Sequence, residues 1–202
     1  FYNPFSPGSG GDASTTGDSL TTASGDNANS GKSPDKPMAS LYALLQQYDL
    51  GPGDIVHVDN GTYVSLRDIV MLPDDSGVRI QGPSTGAAIL DRGTSADSNF
   101  LFDFAGADDV TLDHLTMVGG YITVRLYYSA DSDRVTISNS QIYNSGYRGI
   151  LVAAANDDAV ITGNTIHDIS LFAPGGIEVT GGPRATITNN TLNGILEYNS
   201  SG

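Results

Sequence analysis

The chain contains no cysteine. Disulfides and thiolate metal sites are therefore excluded, while the compartment is left open. Basic residues are scarce: 9 Lys and Arg stand against 23 Asp and Glu, a formal charge of −14 over 202 residues. Nucleic-acid binding needs Lys and Arg to neutralise phosphates, so the balance excludes that function class. It argues equally against simple adsorption to anionic lipid. No apolar run is long enough to span a bilayer. Neither an EF-hand loop nor a Gly-Gly-x-Gly-x-Asp repeat occurs. No signal peptide opens the chain, which begins Phe1-Tyr2-Asn3-Pro4, so a mature or trimmed product is expected.

What is present is a repeat. Val110-Thr111-Leu112, Val135-Thr136-Ile137, Ala159-Val160-Ile161 and Ala185-Thr186-Ile187 open four similar segments at positions 110, 135, 159 and 185, spacings of 25, 24 and 26 residues. A period this regular means stacked supersecondary units. In the second unit, Val135-Thr136-Ile137 alternates apolar and polar as a strand does. Turn residues Ser138-Asn139-Ser140 follow, then the extended piece Gln141-Ile142, a variable loop from Tyr143 to Arg148, and the strand Gly149-Ile150-Leu151-Val152. The third unit repeats this through Ile161, Asn164, Ile166, a loop from His167 to Gly175 and Gly176-Ile177-Glu178-Val179; the fourth runs through Ile187, Asn190, Leu192 and Gly194-Ile195. Such a unit cannot bury its apolar face alone, but stacked units can. Stacking predicts internal columns Ile137/Ile161/Ile187, Ile142/Ile166/Leu192 and Ile150/Ile177.

Asn139, Gly163-Asn164 and Asn189-Asn190 fall at the tight turn, where Asn tolerates left-handed backbone and bonds to the local chain. A ladder of stacked amides is the preferred reading there, with sugar or metal binding as the alternative. Upstream, Met38, Leu41, Tyr42, Leu45 and Tyr48 share one helical face, and Gly51-Pro52-Gly53-Asp54 stops that helix. A helix there would cover the open end of a solenoid. Residues 1–36 are rich in Gly, Ser, Thr, Asp and Asn, a flexible composition in isolation. Phe1, Tyr2 and Phe5 offer anchors for docking it on the first coil. The cluster Asp12, Asp18, Asp26, Asn27 and Asn29 makes calcium possible, with a solvated loop preferred. The organisation expected is a segment 1–36, a capping helix within 37–53 and a solenoid over 54–202. Short strands at Ile69–Leu72, Val78–Ile80, Ala88–Leu90 and Phe100–Phe102, with turns at Asp74–Gly77 and Ala107–Asp109, bring the count to roughly five to six coils. With no capping helix visible after Leu196, the solenoid is expected to continue or to stack on a partner.

The Ile-x-x-Asn-x-Ile pattern followed by Gly-Ile-x-Val resembles the right-handed parallel β-helix repeat of the pectin-lyase-like superfamily, from about Asp54 to the C-terminus. The Ser33-Pro34-x-x-Pro37 helix, Pro52-Gly53-Asp54, the strand Ile55–Val58 and Gly61-Thr62-Tyr63 are similar to the N-terminal cap and first coil of secreted β-helix proteins. The resemblance implies an all-β fold, a right-handed parallel β-helix with an N-terminal capping α-helix. It also implies a polysaccharide groove along the Gly-Ile-x-Val strands, flanked by variable loops.

On that groove the outward positions are read as Thr123, Arg125, Leu151 and Glu178, with Tyr147-Arg148 and His167-Asp168 in the adjoining loops. Coils rise about 4.8 Å, so Arg148 and Glu178 should be neighbours with His167 close by. A lyase or epimerase needs a base for the proton beside a uronate carboxylate and a cation for the resulting charge. The resemblance implies Arg, Lys, His or Tyr as base, often with calcium held by Asp or Glu. Tyr147, Arg148, His167 and Glu178 are thus the catalytic candidates. The Asp-Pro-x-Asp signature of mannuronan epimerases and the paired Asp residues of polygalacturonases are absent. Structural alternatives stand beside each: an Arg148–Glu178 salt bridge between coils, a local His167–Asp168 pair, a structural Asp113-His114 at the turn, and an outward or capped His57. Tyr127-Tyr128 can stack on sugar rings or cover a loop. A charge of −14 repels polyuronates unless calcium bridges them, so a neutral glycan, or no glycan, fits better.

Two readings follow. One is an extracellular or cell-surface carbohydrate-binding module, or a carbohydrate-processing enzyme of lyase, epimerase or glycoside hydrolase type. The other is a structural or adhesive surface module, with end-to-end self-association into filaments. Asn60-Gly61-Thr62, Asn189-Asn190-Thr191 and Asn199-Ser200-Ser201 match glycosylation acceptors, a match common by chance.

Overall fold

A computed structural model describes residues 17–170 and 175–195. Phe1, Tyr2, Phe5, Asp12, the stretch after Leu196 and the acceptor at Asn199 lie outside the described residues. After one helix, α1 (Leu41–Gln47), the strands recur in threes. The first coil holds β1 (Ile55–His57), β2 (Gly61–Val64) and β3 (Ile69–Met71). The second holds β4 (Arg79–Gln81), β5 (Ala88–Asp91) and β6 (Phe100–Phe104), and the third β7 (Thr111–Asp113), β8 (Thr116–Val118) and β9 (Ile122–Leu126). The fourth holds β10 (Thr136–Ser138), β11 (Gln141–Tyr143) and β12 (Arg148–Val152). The fifth holds β13 (Ala159–Thr162), β14 (Thr165–Ile169) and β15 (Gly175–Val179), and β16 (Ala185–Thr188) and β17 (Thr191–Ile195) begin a sixth.

Every strand pairs in parallel with the strand three places away, so the coils build three sheets running the length of the molecule. This is the expected parallel solenoid. Its inward columns have the expected register: Ile137 faces Ile161, which faces Ile187; Ile142 faces Ile166, which faces Leu192; Ile150 faces Ile177. Phe102, Phe104, Leu112, Met117, Ile137, Ile161 and Ile166 are buried. Each large side chain so buried contributes about 1.5–3 kcal/mol, and each serves only the coils beside it.

The corners are held by side chains. Between the first and second sheets, His114, Asn139, Gly163 and Asn189 occupy one left-handed position, with φ of 54°, 50°, 70° and 56°. Gly163 is also the tight spot: a Cβ there would sit 2.9 Å from Asn139 Oδ1. The residue after that position forms the expected amide ladder. Ser140 N–H donates to Asn164 Oδ1 at 3.0 Å, and Asn164 N–H donates to Asn190 Oδ1 at 2.9 Å. Asn164 Nδ2 donates to Asn190 Oδ1 at 3.0 Å and to Ile137 O at 2.9 Å.

The corner that leads into the first sheet carries a second ladder. Asp133 N–H donates to Asp108 Oδ1, and Asp157 N–H to Asp133 Oδ1, at 2.8 and 2.7 Å. Beside it, Arg134 grips the Asp109 carboxylate through Nε and Nη2, and Arg184 grips Asp158 likewise. The outer edge of this corner therefore alternates Asp109, Arg134, Asp158, Arg184.

One end of the solenoid is covered. Ser40 accepts Ala43 N–H and starts α1, which is shorter than the Met38–Tyr48 spacing suggests. Met38, Leu41 and Leu44 are buried, with Leu45 and Tyr48 packed at the margin. Residues 17–40 are pinned by the buried carboxylate of Asp59, which accepts from Ser19 N and Oγ, Leu20 N, Thr21 N and Oγ1, and Asn60 N. Of the Asp and Asn residues weighed as calcium ligands, the four among the described residues are engaged within this segment. Asp18 accepts from Thr21, Asp26 from Ala28 N, and Asn27 from Ala39 N, while Asn29 donates to Pro37 O.

Candidate functional site

The third sheet, β3–β6–β9–β12–β15, carries the expected groove strands. Its outward column runs Val70, Asp103, Arg125, Leu151, Glu178. Arg125 holds Asp103 through two bonds of 2.8 and 2.7 Å. Its guanidinium also lies 3.6 Å from the Phe100 ring centroid and 4.5 Å from that of Tyr127. One coil further on, Arg148 Nε donates to Glu178. Arg148 Nη1 donates to Tyr147 O at 3.1 Å, and the guanidinium lies 3.6 Å from the Tyr147 ring centroid.

Aromatic residues stand on both rims of this strip, because Tyr121 immediately precedes β9 and Tyr127 immediately follows it. Tyr121 and Tyr147 occupy adjacent coils and stack at 5.0 Å with their planes 13° apart. Tyr127 and Tyr128 meet at 4.2 Å, and Tyr127 donates its hydroxyl hydrogen to Tyr128 at 2.8 Å. Tyr128 is 60% exposed. Burial raises the Tyr121 pKa, assisted by the Asp97 charge. The hydrogen bond to Tyr128 raises that of Tyr127. Both phenols stay neutral around pH 7, as a stacking platform requires and a base does not.

Of the four sequence candidates, Tyr147, Arg148 and Glu178 come together. His167 stands elsewhere: it lies on β14 in the second sheet, in register with Tyr143 and Asn193. It stacks on Tyr143 at 4.9 Å and bonds Asp168 at 2.7 Å, the local pairing considered from sequence. β14 spans five residues where β11 spans three, so the strand runs through His167 and Asp168. Thr123, expected outward, is buried: its hydroxyl donates to Gly119 O and meets Ser145 Oγ. Asp103 and Tyr121 escaped the sequence reading, and Phe100 was read only as part of a strand. The signal available for Asp103 was its one-coil offset from Arg125.

The arrangement speaks to chemistry. Arg148 is engaged by the Glu178 carboxylate and the Tyr147 ring, an arrangement that holds its guanidinium in place on the strip. Asp113, read as structural, is a hub: it accepts from Arg79 at 2.6 Å, Ser138 at 2.7 Å and Asn139 at 3.0 Å, with His114 Nδ1 at 2.9 Å. Among the described residues, no three His, Asp or Glu converge in a metal-holding group. No helix among them is long and apolar enough to cross a membrane.

No curated protein and no solved structure matches this chain. Residues 101–199 match the family model described as a right handed beta helix region. That stretch holds the regular coils, and with three all-parallel sheets wound around one core the chain is a right-handed parallel β-helix of about five turns.

Proposed function

We propose that this protein is an extracellular surface module that binds a neutral polysaccharide along the third sheet without cleaving it. The observation that carries the reading is the strip itself: two self-neutralised pairs, Asp103–Arg125 and Arg148–Glu178, between the Tyr121/Tyr147 and Tyr127/Tyr128 rims. Sugar rings present C–H faces that stack on aromatic planes and hydroxyls that bond to fixed charged groups. Because each charge on the strip already has its counter-charge, a neutral chain meets no uncompensated ion. A polyanion meets a protein at −14.

Affinity electrophoresis through gels of neutral glucan, mannan, galactan or xylan, with polygalacturonate and alginate alongside, tests this. Retardation by a neutral glycan, lost in a Tyr127→Ala/Tyr128→Ala variant of unchanged fold, is the expected result. The idea fails if no glycan retards the protein, with calcium or with chelator. Release of unsaturated uronate products would establish the lyase reading in its place.

A further inference from the structure

We propose that the hollow between the end of α1 and the turn after β3 is a binding site for a small aliphatic diamine. The inference does not depend on glycan binding. The helix side contributes Leu45, Gln46, Gln47 and Asp49, and the turn contributes Leu72, Asp74 and Asp75, around a space of about 240 Å³. Asp75 is the group in need of a partner. It is 7% exposed; its Oδ2 accepts the Leu72 N–H at 2.9 Å, and its Oδ1 has no donor among the described residues. With so little of the residue reaching solvent, that unmet acceptor opens onto the hollow Asp75 lines. Burial pushes the carboxyl up, the Leu72 N–H opposes this, and the Asp74 and Asp49 charges raise it further. A charge held this way is costly until a cation meets it.

No basic side chain of this chain meets it. Residues 1–16, 171–174 and 196–202 hold no Lys or Arg, and none of the nine basic residues pairs with Asp49, Asp74 or Asp75. Lys32 lies 4.8 Å over the Tyr48 ring and does not line the hollow. The last turn of α1 has no basic residue either, so its carbonyl ends add to the negative potential. Three carboxylates exclude an anion as ligand. They do not converge as the oxygen ligands of a metal must. They call instead for separated positive charges. Leu45 and Leu72, the latter 45% exposed, offer apolar surface to a methylene stem, and the Gln46 and Gln47 amides offer further acceptors for N–H groups. The space is smaller than the roughly 300–1,000 Å³ of sites for drug-sized ligands, so the stem is short. Two ammonium groups on such a stem meet every requirement.

Isothermal titration of the 202-residue chain with 1,4-diaminobutane at low salt tests the site. The expected result is one saturable site that weakens as salt is added. n-Butylamine, with the same stem and one charge, should bind about tenfold more weakly or worse. Asp75→Asn, whose amide oxygen can still accept the Leu72 N–H, should weaken diamine binding by about tenfold or more through loss of a charge-assisted bond. Asp49→Asn, a change at an exposed position, should act in the same direction should the Asp75 variant fail to fold. Asp131→Asn removes the same charge from an exposed position between β9 and β10 and should leave binding unchanged. No saturable binding, binding indifferent to both Asp75→Asn and Asp49→Asn, equal weakening by Asp131→Asn, butylamine bound as tightly as the diamine, or displacement of the diamine by stoichiometric calcium would each overturn the proposal.

Discussion

Asp113 shows what a single side chain contributes at a corner. Burial pushes its carboxyl up, but hydrogen bonds from Asn139, Ser138 and His114 outweigh it and hold the pKa at about 2. A carboxyl whose folded pKa lies below its unfolded value stabilises the fold above the unfolded pKa. That stabilisation is lost as pH falls through the folded one. Here the window runs from about pH 4 down to about pH 2. Asp113→Asn should cost about 2 kcal/mol in urea unfolding at pH 7, a difference that narrows towards pH 2. A cost that stays constant across that range would mean the carboxylate's charge contributes nothing. The Arg148–Glu178 pair should behave differently. Glu178 is 36% exposed, so Glu178→Gln is expected to lower stability by no more than about 1 kcal/mol. Its principal effect should fall on glycan retardation. The pairing was legible from sequence because one coil's offset brings residues 148 and 178 together. The burial of Thr123 was not, because its contacts with Gly119 O and Ser145 Oγ lie in the preceding turn and the next coil, where strand alternation gives no signal.

At the scale of elements, the cap depends on a contact that no local pattern announces. Asp59 and its partners at 19–21 are about 40 positions apart, and a Gly- and Ser-rich composition alone reads as flexible. Burial raises the Asp59 pKa, yet the N–H groups of Ser19, Thr21, Leu20 and Asn60 bring it below the ordinary carboxylate value. Asp59→Ala should therefore release residues 17–40 first, at a cost of about 2 kcal/mol or more from the lost charge-assisted bonds. Limited proteolysis would then cut between Ser19 and Pro34 while strand circular dichroism persists. Protection equal to wild type would assign the segment's order to other contacts, such as the Thr22–Pro34 and Asp26–Pro37 backbone bonds. The helix itself was legible as an apolar face. Its start was less so: Ser40, three residues before the Ala43 N–H it caps, sets the first turn inside the longer hydrophobic pattern.

For the whole molecule, stability is a sum over coils and their neighbours, so the same substitution should cost different amounts along the axis. The regular period made the solenoid and its inward columns readable, since apolar residues return at nearly fixed spacing. The Asp–Arg corner stayed hidden because its alternate coils carry opposite charges, Asp109 then Arg134 then Asp158 then Arg184, and a search for like residues passes over it. The amide ladder provides the test of position. Asn164 is buried and donates from Nδ2 to both Ile137 O and Asn190 Oδ1. Asn164→Asp removes both donors and places a carboxylate against two acceptors, which should cost about 3 kcal/mol or more. Asn190→Asp removes a single donor bond, to Ile161 O, at a partly exposed site, and should cost about 1 kcal/mol. Amide exchange resolved by coil would show the Asn164 variant loosening the fourth to sixth coils and sparing the first two. Equal loss of protection in every coil would mean that the solenoid unfolds as one unit, and nearest-neighbour additivity would not hold for it.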